Sequence, residues 1–170
     1  IRASMHGINM WKSELIRLFA LNNNATYNRI NADEYIQRLL FLNCKKVVFS
    51  NGTYYYRRNK NSITQKYSVR HLGYLDTCRK LIALIPEYHL THHTASIIKE
   101  FYFRHIIHLQ IRLYSDGKDL NTEERKEMKQ AIKAAYMDAM AYKNDFQFKE
   151  KRMPNLYKMV STNGYILFCL

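Results

Sequence analysis

Residues 91–114 read THHTASIIKEFYFRHIIHLQIRLY. Ile97, Ile98, Phe101, Tyr102, Ile106, Leu109 and Leu113 recur at three- and four-residue steps, so the stretch is expected to form one long, strongly apolar helix. Its neighbours carry the same period. Residues 67–84 place Leu72, Leu75, Cys78, Leu81 and Ile82 at mixed three and four spacing, with Pro86 as the expected stop. After the loop SDGKDLN, the run Thr122-Glu123-Glu124 opens a further helix to about Tyr142. Acids in its first turn complement the dipole, and Met128, Ile132, Ala135, Tyr136 and Ala139 form its apolar face. Pro154 starts a last expected helix near residues 155–161. The second half of the chain therefore reads as a helical bundle.

The first half reads differently. A helix is expected from about Lys12, with Leu15, Ile16, Phe19 and Ala20 at helical spacing. A second is expected from Ala32 to about Asn43, capped by Asn31 with Glu34 three residues on. KKVVF (45–49) and TYYYRR (53–58) look like strands around an Asn51-Gly52 turn, a strong hairpin signal. A two-stranded ribbon is marginal alone and needs a sheet or helices beneath it. The expected fold class is α/β, mainly helical: a small β-hairpin or partial sheet, then a helical bundle. The expected division is 1–66 and 67–170. The missing initiator Met and the ending YILFCL suggest a piece of a longer protein.

Composition bounds the partners. The 170 residues include 27 Lys and Arg against 14 Asp and Glu, a net +13. Such a charge favours polyanions, acidic lipid surfaces or phosphorylated small molecules. The charge is unevenly laid. No acid occurs between Tyr35 and Leu75, whereas Arg38, Lys45, Lys46, Arg57, Arg58, Lys60, Lys66 and Arg70 all do. Guanidinium forks match phosphate oxygens, so Arg57, Arg58 and Lys60 are candidates to hold a diphosphate. Cys44, Cys78 and Cys169 are isolated, without a C-x-x-C, which argues against a zinc ribbon or disulfide framework. Residues 1–20 carry Lys12, Glu14 and Arg17, unlike a signal peptide. No apolar run reaches membrane-spanning length. His89, His92, His93, His105 and His108 lack a carboxylate at a metal-ligand spacing and read as packing or surface residues.

Two carboxylates stand out. Asp33 and Glu34 open a helix, where the dipole keeps a carboxylate ionised and fit to act as a base. Acids are equally common there as plain helix-start residues. Trp11 could stack on a sugar or base, or sit in the core.

Taken in order, W-K-S-E-L-I (11–16), N-A-D-E-Y-I-Q-R-L-L (31–40), K-K-V-V-F (45–49) and Y-Y-Y-R-R-N-K-N-S-I-T (54–64) resemble the second half of a family-2 glycosyltransferase of the GT-A fold, closest to bacterial surface-polysaccharide members. The resemblance implies an inverting transfer of a sugar from a nucleotide donor to a saccharide or lipid-linked acceptor. Asp33 would be the catalytic base. Trp11, Glu34, Tyr56, Arg57, Arg58 and Ser62 would border the donor and acceptor sites, with Tyr54 and Ile63 in the same motif. The family's first motif acid is Ala32 here, and a further basic residue is Asn59. No D-x-D occurs, so the resemblance implies a divalent cation, Mg or Mn, whose ligands belong to a nucleotide-binding half not in this chain. By itself the chain is expected to turn nothing over. The implied location is cytoplasmic, with peripheral contact to an anionic inner membrane face through helices carrying Phe103, Arg104 and Arg112. Nucleic acid is not expected as a partner. The rival readings are a basic nucleic-acid-binding module, without a recognisable RNP motif or helix-turn-helix, and a non-catalytic helical interaction domain.

Overall fold

A computed structural model describes residues 10–21, 32–49, 51–53, 55 and 66–146. Five α-helices follow in chain order: α1 (Ser13–Leu21), α2 (Ala32–Asn43), α3 (Gly73–Glu87), α4 (His92–Ser115) and α5 (Thr122–Met140). Short 3₁₀ turns lie at Val69–Leu72, Gly117–Asp119 and Lys143–Asp145. The long helix α4 is the centre. Its apolar residues are spread too widely for one face, and the structure uses two sides of it. Tyr102, Phe103, Ile106 and Leu109 are fully buried. They meet Leu75 and Cys78 from α3 and Met128, Ile132, Ala135, Tyr136 and Ala139 from α5. Full burial of each large side chain contributes about 1.5–3 kcal/mol. Short connections at 88–91 and 116–121 fold the three helices up, down and up.

One polar tie sits on this core. The Tyr102 hydroxyl donates to Asp138 Oδ2 at 2.8 Å, so a phenol too large to leave unpaired inside the bundle reaches its edge. The turn after α5 is held back onto α4 by Lys99, whose ammonium lies 2.5 Å from Asp145 and 4.9 Å from the centre of the Tyr142 ring.

Helix α2 occupies the other side of α3. Tyr35 and Leu39 form a second core with Leu81, Leu84 and Ile98. Lys80 lies 5.2 Å from the Tyr35 ring centre, and Asn43 donates to the Tyr88 hydroxyl at 2.9 Å.

The expected hairpin is corrected. Among the described residues there is no strand. Residues 45–49 are irregular, and Val48 and Phe49 are each 75% exposed. Among the described residues their β propensity finds no ladder partner and no surface to pack on, and propensity without those does not make a strand. Tyr54 and residues 56–65, the rest of the expected hairpin, lie outside the described residues, as do the Asn31 cap and the expected helix after Pro154. The helical expectations hold closely: α2 spans the residues foreseen, and α4 starts behind Thr91, which accepts from the Thr94 N–H at 3.3 Å.

Pro86 does not stop α3, which runs on to Glu87 with Pro86 in its last turn. The helix ends one residue later, at Glu87, and the chain is closed off by two backbone bonds just beyond it. The Leu90 N–H bonds the Ile85 carbonyl at 3.0 Å and the His89 N–H bonds that of Pro86 at 3.4 Å. That pair is a Schellman closure, and it puts His89 at φ 47°, the left-handed region that glycine adopts without steric cost. His89→Gly is expected to raise stability by about 0.5–1 kcal/mol, the relief being partly offset by glycine's freer unfolded chain; a higher urea midpoint at unchanged slope would show it. Helix α5 opens with a capping box: Asn121 Oδ1 accepts from the Glu124 N–H at 2.9 Å and Glu124 accepts from the Asn121 N–H at 3.0 Å. Asn121→Ala is expected to cost about 1 kcal/mol, read from the same titration. Among the described residues, no helix is long and apolar enough to cross a membrane.

Candidate functional site

The two acids that open α2 have different environments. The helix turns by about 100° per residue, so adjacent side chains face different ways. Asp33 points to solvent, while Glu34 is only 5% exposed and ion-paired with Arg38 one turn on. Glu34 lies toward Cys78. Burial pushes that thiol well above its ordinary range, and the Glu34 charge pushes it further. Glu34 is thus bound into the junction between α2 and α3, while Asp33 is accessible at the positive end of the helix.

Tyr74, in the first turn of α3, is half-buried. Burial raises its phenol, Arg112 opposes the rise, and the Asp33 charge adds to it. Behind Tyr74 stands a ladder of rings. Its ring centre is 5.1 Å from His105 and 5.9 Å from His71, and Phe101 lies 4.2 Å beyond His105.

The histidine tautomers follow from their partners. Arg112 Nη1 lies 3.2 Å from His71 Nε2. A guanidinium can only donate, so His71 Nε2 accepts. Its proton then sits on Nδ1 and is donated to the Ser68 carbonyl at 3.0 Å. With Nδ1 so protonated, the nearby Ser68 N–H at 3.2 Å is not its donor. His71 is fully buried and neutral in this arrangement. His105 donates from Nδ1 to the Phe101 carbonyl at 2.9 Å. Burial lowers its affinity for a second proton, the carbonyl contact opposes this, and His108 adds to the lowering.

Arg112 ties the floor together. Its guanidinium stacks 4.9 Å from the Tyr67 ring centre and bonds Asp116 at 2.8 Å. Hydrogen bonds from Arg112 and Ser115 hold the Asp116 carboxyl below its usual range. The Tyr67 hydroxyl, whose ionisation burial suppresses, donates to the Leu109 carbonyl at 2.9 Å.

Asp33 is an accessible carboxylate whose charge reaches Tyr74, and Tyr74 packs on the imidazoles of His71 and His105. Such a set can accept a proton from a hydroxyl and steady a nearby negative charge. Of the residues foreseen, Asp33 and Glu34 fall here. Trp11 does not. It is half-buried edge-on to Phe41, ring centres 4.8 Å apart, about 12 Å along α2 from Asp33 at 1.5 Å per residue. Tyr56, Arg57, Arg58 and Ser62 lie outside the described residues. Tyr74, His71, His105 and Arg112 were not singled out from sequence as one packed group. The signal was faint: His105, His108 and Arg112 share a face at steps of three and four, and His71 and Tyr74 are three apart. No spacing says that the two sets meet. No group of three or more His, Cys, Asp or Glu among the described residues could hold a metal ion. No family model, curated protein or solved structure matches the chain.

Proposed function

We propose that the chain is the acceptor-side end and helical C-terminal part of a family-2 glycosyltransferase, in which Asp33 deprotonates the acceptor hydroxyl that attacks the anomeric carbon of a nucleotide sugar. The carrying observation is the separation of the two acids: Asp33 is exposed at a helix start, and Glu34 is buried on Arg38. Of the two, only Asp33 is accessible from solvent, which supports its choice as the base. The ionised state that base chemistry needs is favoured by its position at the positive end of α2.

In that role the new C–O bond forms from the acceptor oxygen as the donor's diphosphate leaves with the bonding pair, and Asp33 takes the acceptor proton. The resemblance would assign the departing charge to Arg57 and Arg58, which lie outside the described residues. The cation expected of such an enzyme finds no ligand set among the described residues. The partners of this reading are a nucleotide sugar and a glycan or lipid-linked acceptor, at the cytoplasmic side of an anionic membrane. The test is a transfer assay on the longer protein that includes a nucleotide-binding half, comparing Asp33→Asn with the parent. Intact transfer in that variant would refute the assignment.

A further inference from the structure

Tyr67 and the 3₁₀ turn Val69–Leu72 lead the chain into α3, and they are fastened to a single stretch of α4. The Tyr67 hydroxyl donates to the Leu109 carbonyl at 2.9 Å. The Arg112 guanidinium lies 4.9 Å from the Tyr67 ring centre, and its Nη1 donates to His71 Nε2 at 3.2 Å. Tyr67 is buried and His71 wholly so. All three ties fall within one turn of α4.

The His71 contact works in one charge state. Nδ1 carries its proton toward the Ser68 carbonyl at 3.0 Å, and Nε2 accepts from Arg112. A second proton can settle only on Nε2. It would set an N–H against the N–H of a guanidinium, which has no acceptor to offer, and place two like charges side by side out of water. The other charges around the turn are placed differently. Asp116 is bonded to Arg112 Nε at 2.8 Å. Tyr74 of α3 packs 5.9 Å from the His71 ring centre as an un-ionised phenol, which the Asp33 charge of α2 reaches. From α3 and α5, Asp76, Arg79 and Glu127 enter the groove that Val69, Arg70 and Leu72 line. On α4, burial holds His105 and His108 below the ordinary imidazole range. The Arg112 charge adds to the lowering at His108, and Asp116 opposes it.

We propose that the His71–Arg112 contact is an acid-released latch: a second proton on His71 frees Tyr67 and the turn after it from α4, while α4 and α5 stay packed. Arg112 keeps Asp116 as its partner after release. Phe103, on Tyr136 and Phe146, joins α4 to α5 without the turn. The closed turn holds one proton fewer than the open one below about pH 6.5, the ordinary imidazole value, so acid favours opening and alkali favours closure. The latch does not need the transfer reading, and its test involves no turnover.

Amide hydrogen exchange of the 170-residue chain, followed by NMR and corrected for the pH dependence of exchange itself, tests it. The reporter is the His71 N–H, bonded to the Ser68 carbonyl at 3.0 Å. Its protection is expected to fall about tenfold from about pH 7.5 to about pH 5.5, the factor one proton gives one unit below the ordinary imidazole value. Amides at the centre of α4 should remain slower than the reporter at both values. His71→Gln can accept from Arg112 and donate to Ser68 at any pH, and is expected to hold the fall to about twofold. His108→Gln, at an exposed position, should keep the full fall. Imidazole nitrogen shifts of the parent give a reading that no misfolded variant can spoil: His71 should be neutral, with its proton on Nδ1, for as long as the turn is protected. The proposal is overturned by an unchanged reporter in the parent, by a full fall in His71→Gln, or by loss of the fall in His108→Gln. Equal exchange of the reporter and the α4 centre in acid would show global opening and overturn it too. So would a charged His71 in a turn that is still protected.

Discussion

On the proposed transfer role, Asp33→Asn is expected to lower sugar transfer by about 10²–10⁴-fold in a protein that carries a nucleotide-binding half, the range that a positioned general base supplies. The substitution keeps size and polarity and removes only the proton-accepting charge. Because Asp33 is exposed, stability should change by no more than about 0.5 kcal/mol. Glu34→Gln is the informative contrast. Glu34 is buried and paired with Arg38, whose own side chain is 30% exposed. Removing its charge replaces a buried charge-assisted pair with a neutral contact and costs on the order of 1–3 kcal/mol. Transfer per folded molecule should survive. The two neighbours therefore separate on two readouts: Asp33→Asn loses rate and keeps its urea midpoint, and Glu34→Gln does the reverse. Loss of transfer in Glu34→Gln together with its retention in Asp33→Asn would move the base by one residue and reject the proposed geometry.

Phe103→Ala is expected to cost about 3–5 kcal/mol, among the largest effects of any single truncation in the bundle. Phe103 is wholly buried on α4. Its ring centre lies 5.3 Å from Phe146 and 6.5 Å from Tyr136, so it joins α4 to α5 and to the turn that follows. The cavity left by alanine is bounded by three elements pinned independently, among them the turn held by Lys99 on Asp145. It cannot close cheaply. Against a usual total of about 5–15 kcal/mol, such a loss unfolds much of the population under mild denaturant. Ile111→Ala, on the same helix but 59% exposed, should stay within about 0.5 kcal/mol. Similar urea midpoints for the two variants would contradict the placement of α4 at the centre.

Much of the fold was legible without coordinates. The apolar period of residues 91–114, the acids at 122–124 and the run from Ala32 to Asn43 located α4, α5 and α2, since helix periodicity and end signals are written in local sequence. Pro86 misled by one turn: a proline in the last turn forfeits a single internal bond, and the Schellman closure through His89 sets the true end. The strand at 45–49 misled more. A β-run is completed by a partner elsewhere in the chain, and Val48 and Phe49 find none among the described residues.

The site divides in the same way. Sequence alone marked Asp33 and Glu34 as charges at a helix start, and it recorded the surplus of positive charge. It could not tell which acid is accessible. That depended on α3, whose Cys78 side closes over Glu34 and leaves Asp33 in solvent. Nor could it stack Tyr74 on His71 and His105, or bring Arg112 to His71. Helices declare themselves through contacts three and four residues apart, which sequence spells out. Which faces meet is decided by contacts dozens of residues apart, as between Tyr67 and Leu109, and only the packed chain contains them.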